Sequence, residues 1–122
     1  MSKKNSVTLI IPTFNEIDGL KLIFPRIDQT LFDEIIFIDA KSSDGTVEYI
    51  NNLKDVKILT QTDKGLTSAM LQATKEVKTE YVIELSPDNN CTPEILPKIV
   101  EKIKEGYDII VVSRYLDDAI SE

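Results

Sequence analysis

The chain has 122 residues, a formal charge of −7, 42% hydrophobic and 29% charged residues, and no histidine. That length suits one domain built on one core, and the acidic balance, with no cluster of Lys and Arg interleaved with aromatics, argues against nucleic acid as a partner. Without histidine there are no His-based triads, bases or metal sites, so any metal must sit on oxygen. The single Cys91 can form no internal disulfide.

Met1 to Ser6 is polar and leads into an apolar run, Val7 to Ile11, too short for a signal-peptide core or a spanning helix. The expected location is cytoplasmic, with membrane association open for a longer parent protein. Five short runs rich in Val and Ile read as strands: Val7 to Ile11, Glu34 to Ile38, Val56 to Leu59, Tyr81 to Leu85 and Asp108 to Val112. The segments between them read as helices. Leu20, Ile23, Phe24, Ile27 and Leu31 recur at helical spacing behind Asn15 as a possible cap, with Pro25 predicting a kink or restart. Leu66, Ala69, Met70, Ala73 and Val77 form a second stripe. Thr92-Pro93-Glu94 opens a last helix whose apolar face is Ile95, Ile99, Val100 and Ile103; Pro97 makes its first turn irregular and Gly106 ends it.

Strands alternating with helices predict a Rossmann-like three-layer α/β/α fold with a mainly parallel sheet of about five strands. Residues 1–122 form one domain, and the tail from Arg114 onward is loosely specified. Ligands of such sheets collect beyond the C-terminal strand ends, so the residues there are the functional candidates. They are Pro12-Thr13-Phe14-Asn15-Glu16 after the first strand, and Asp39 with Ser42-Ser43-Asp44-Gly45-Thr46 after the second. Asp63-Lys64-Gly65 follows the third, and Ser86-Pro87-Asp88-Asn89-Asn90 the fourth.

Each piece also has a purely structural reading. Asn15-Glu16 suits a helix cap, Ser42 to Thr46 a turn feeding a helix, Lys64 a solvated charge and Asp88 an Asx-turn. Their order and spacing together are more specific. From Val7 through Tyr115 the chain resembles a family 2 glycosyltransferase of the GT-A fold. The likeness rests on the opening strand with its Pro12-Thr13-Phe14-Asn15-Glu16 turn, and on the second strand ending in Asp39 and continuing through Ser42 to Thr46. Lys64-Gly65, the stretch from Tyr81 to Glu94 and Ser113-Arg114-Tyr115 complete it.

The resemblance implies a sugar linked to a nucleoside diphosphate (UDP- or GDP-linked) as donor and, in the full-length protein, transfer with inversion to an acceptor hydroxyl on a lipid carrier, polysaccharide or protein. It implies that the turn from Pro12 to Glu16 lines the nucleotide, chiefly through Pro12, Thr13 and Glu16, that Asp39 meets the base edge, and that Lys64 lies near ribose or phosphates. Asp88 stands at the last acid of a DXD motif and would hold a divalent cation, Mn2+ or Mg2+, that neutralises the leaving diphosphate. Ser86 replaces the first acid of that motif and Ala40 stands where a second acid often follows Asp39, which weakens a hard-cation site. A ribose hydroxyl or a metal-bound water is the alternative contact for Ser86. No general base is assignable; Asp117 and Asp118 read as tail residues.

The family's acceptor subdomain lies downstream, so the expectation is a donor-binding part of a longer enzyme, without transferase activity on its own and prone to self-association through apolar surface left uncovered. A degenerate nucleotide-binding module is the main alternative. A sugar-phosphate nucleotidylyltransferase would need a glycine- and arginine-rich loop where Pro12-Thr13-Phe14 stands. A receiver-like domain would need an acid pair there and a lysine in place of Ser113-Arg114.

Overall fold

The computed structural model describes residues 6–87 and 93–105. Within them four strands, β1 (Val7–Thr13), β2 (Glu34–Asp39), β3 (Lys57–Thr60) and β4 (Tyr81–Glu84), form one sheet in the order β3-β2-β1-β4. Every pairing is parallel, with Ile10 opposite Ile36 on one side and Glu84 on the other. The expected fifth strand, Asp108 to Val112, lies outside the described residues, so the described sheet has four strands rather than five.

The alternation of the strands divides the core in two. Val7, Leu9, Ile11, Ile35, Phe37 and Ile83 face α1 (Ile17–Ile23), α2 (Thr46–Asn51) and α4 (Leu96–Lys104). Ile10, Ile36 and Ile38 face Ala69 and Ala73 of α3 (Leu66–Thr74). Both faces of β1 and β2 are therefore apolar, as parallel strands between helical layers require. Phe24 and Phe37 meet at a ring separation of 5.5 Å near the middle of the first layer.

Several local expectations are corrected. The first helix does not run to Leu31; α1 ends at Ile23, and 3-10 turns cover Phe24–Arg26, which holds Pro25, and Gln29–Leu31. A proline ring excludes the carbonyl of the preceding turn, which breaks the α-helical ladder there. The capping position of α1 is Glu16, while Asn15 adopts φ 50° beside it. Leu66 belongs to α3 but is 54% exposed, because it opens the helix at the sheet rim rather than over it. The last helix starts as a 3-10 turn, Pro93–Ile95, before α4, with Pro97 in the first turn and Leu96, Ile99, Val100 and Ile103 buried. Thr92 and Gly106 lie outside the described residues. An Arg26–Glu94 ion pair ties the turn after α1 to the one before α4.

Candidate functional site

Strands β1, β2 and β3 run outward in one direction across the sheet and β4 lies on the other side of β1. The order therefore reverses between β1 and β4, where parallel α/β sheets bind ligands. Pro12 lies at this point. It shares the parity of Ile10, whose carbonyl accepts the last β4 bond from Leu85 at 3.0 Å, so the N–H that Pro12 lacks would face the β4 side beyond the paired residues. A proline is tolerated in this central strand because its missing donor has no ladder partner to serve.

A cleft of about 620 Å3 opens over these strand ends. Pro12, Thr13, Glu16, Lys64 and Ser86 all line it, so five of the seven residues singled out in the sequence converge there. Of the remaining two, Asp39 is 2% exposed beneath the cleft floor, and Asp88 lies outside the described residues. The lining also includes Phe14, 59% exposed, with Leu66, Gln61 and Lys41. Phe14 belongs to the Pro12-to-Glu16 turn expected to line the nucleotide, whereas the sequence assigns no ligand role to Leu66, Gln61 or Lys41. The available signal was position: Gln61 and Lys41 come one and two residues after the ends of β3 and β2.

Beneath the cleft, polar residues from the first two strand ends are joined to one another. Asp39 Oδ1 accepts from the Thr13 hydroxyl at 2.7 Å and from the Ser42 hydroxyl at 2.6 Å, and its Oδ2 accepts from the Ser42 N–H at 2.7 Å. A carboxylate offers about four acceptor sites, so Asp39 keeps about one beyond its own fold. Ser42 Oγ in turn accepts from the Asn15 N–H at 2.8 Å, and Asn15 Oδ1 accepts from the Ser43 N–H at 2.8 Å. Thr46 Oγ1 accepts from the Glu16 N–H at 3.1 Å, and Asp44 Oδ2 from the Ile17 N–H at 3.1 Å.

Asp44 thus supplies, from the second loop, the cap that α1 lacks on its own chain segment. Desolvation pushes its carboxyl up, but the Thr46 hydroxyl and the backbone N–H groups of Ile17 and Thr46 outweigh that and hold it below the usual carboxylate range. On β4, two residues before Ser86, burial pushes the Glu84 carboxyl up.

No three His, Cys, Asp or Glu side chains among the described residues come together as a metal site. No helix among them is long and apolar enough to cross a membrane.

Residues 8–120 match the family described as Glycosyl transferase family 2. The chain belongs to that family. Its family 2 relatives include a dolichol-phosphate mannosyltransferase of Pyrococcus furiosus, 39% identical over 90% of this chain and 33% of the relative. An undecaprenyl-phosphate 4-deoxy-4-formamido-L-arabinose transferase of Klebsiella pneumoniae is 30% identical over 85% of this chain and 35% of its own. The dolichol-phosphate mannosyltransferase of Saccharomyces cerevisiae is 29% identical over 80% and 41%. This family 2 chain spans about a third of the length of the first two relatives.

Proposed function

We propose that the cleft binds the nucleoside diphosphate of a sugar donor, and that the protein containing this chain transfers the sugar to a polyprenyl phosphate. The convergence of Pro12, Thr13, Glu16, Lys64 and Ser86 on one cleft at the strand-order reversal carries the donor reading. The lipid-phosphate names of the relatives support the acceptor. In this reaction an acceptor phosphate oxygen attacks the anomeric carbon as the bond to the nucleoside diphosphate breaks. A phosphate monoester has its second pKa near 6, so at neutral pH the nucleophile is largely deprotonated. A lipid acceptor also places the reaction at a membrane surface.

In this reading Thr13 and Glu16 line the nucleotide and Lys64 and Ser86 meet ribose or phosphate. Asp39 uses its remaining acceptor site toward a base N–H, and Asp88 with Mn2+ or Mg2+ belongs to the same proposal. Calorimetric titration of the chain with UDP and with GDP, each with and without manganese, tests it. Binding of one nucleotide is expected, with a manganese-dependent part that Asp88→Ala removes. No heat with either nucleotide would reject the donor site, and equal affinity with and without manganese would reject the cation.

A further inference from the structure

Three described residues other than glycine have positive φ: Asn15 at 50°, Lys41 at 61° and Asp55 at 60°. Asn and Asp tolerate the left-handed region because their short polar side chains bond locally, but Lys has no such compensation. Something must hold Lys41 there, and both neighbours are fixed. The Ala40 N–H donates to the Thr13 carbonyl at 2.9 Å, and Ser42 is bound to Asp39 through both its N–H and its hydroxyl. The backbone at position 41 is therefore set by bonds that its own side chain does not make. Glycine would meet the same requirement without strain, so the lysine has no local structural reason to be there.

Lys41 lines the cleft, is exposed, and has no hydrogen bond or ion pair to another described residue. In a chain of net charge −7, an anionic ligand needs cations gathered at its site. Lys64 provides one from the β3 side of the cleft and Lys41 a second from the β2 side.

Resting on the donor-site reading above, we infer that Lys41 is a ligand-binding residue, held in a strained backbone to present its ammonium group to the phosphates of the bound nucleotide. Strain kept at a rigid position beside a cleft is the expected signature of a functional side chain.

The test compares wild type, Lys41→Gly, Lys41→Arg and Lys41→Met, titrated calorimetrically with UDP, GDP and the parent nucleosides, alongside thermal melts. Lys41→Gly is expected to melt at the same or a higher temperature than wild type. It should bind the preferred diphosphate roughly tenfold more weakly, about the worth of one charge-assisted hydrogen bond, and the nucleoside unchanged. Lys41→Arg should retain affinity and Lys41→Met should lose it, and the difference should shrink as salt is raised. Equal diphosphate affinity of wild type and Lys41→Gly, or equal losses for nucleoside and diphosphate, would overturn the role of Lys41 while leaving the donor site standing. Failure of the wild type to bind either diphosphate would overturn both.

Discussion

Asp39 shows how one side chain can belong to the fold and to a binding site together. It is buried and accepts three bonds from Thr13 and Ser42. Asp39→Ala is therefore expected to destabilise the chain by about 2 to 4 kcal/mol in urea denaturation, since the buried Thr13 hydroxyl left without an acceptor costs roughly 1 to 3 kcal/mol and the two part-buried Ser42 donors, which water can reach, add less. Asp39→Asn, which keeps one carbonyl acceptor, should lose less. If Asp39→Ala unfolds at the wild-type urea concentration, the bonding beneath the cleft contributes nothing to stability. Asp44 gives a pH-dependent counterpart. Its carboxyl is held below the usual range when folded, so the stability it confers is present above the ordinary aspartate value near 4 and is lost as pH falls through the folded value. Asp44→Asn should flatten that part of the acid limb when unfolding is followed between pH 6 and pH 2. An unchanged limb would reject the capping role.

At the scale of elements, the start of α3 decides the shape of the cleft. Gly65 precedes it at φ 98° and ψ 153°, a conformation nearly confined to glycine, although nothing lies within 4 Å of the position a Cβ would occupy. Gly65→Ala should thus cost about 1 to 3 kcal/mol through backbone strain alone, measured as a lowered urea midpoint. An unshifted midpoint would show that the turn relaxes. This element also marks the boundary of what the sequence makes legible. Spacing alone puts Leu66 in the buried stripe with Ala69 and Ala73, yet a first-turn residue points where the preceding loop sends it, and the backbone of Gly65 is not written in a periodicity. Strand ends are readable because a run of β-branched residues has a visible end, so the order of residues alone places Pro12, Thr13, Lys64 and Ser86 at one edge of the sheet. The lone-pair occupancy of Asp39 and the backbone of Lys41 depend on nearby Ser42 but also on Thr13, 26 residues before Asp39, and no local pattern encodes that long-range contact.

For the whole molecule, binding and folding are linked. A nucleotide that occupies the cleft of the native state alone raises stability by about 2.7 kcal/mol at a concentration one hundred times its dissociation constant. Differential scanning fluorimetry with UDP or GDP should show the melting temperature climbing with the logarithm of concentration, and a flat response to both would contradict the donor site. The sheet order has a consequence for the nascent chain. On the β2 side, β1 finds its partner once Asp39 has left the ribosome, but the opposite edge pairs with Tyr81 to Glu84. Between those two moments of translation β1, buried on both faces in the fold, presents an unpaired backbone edge, a template on which a neighbouring polypeptide can add a strand. The emergence of Ala40 to Glu80 from the exit tunnel is thus the interval in which that edge of β1 is open to a chaperone.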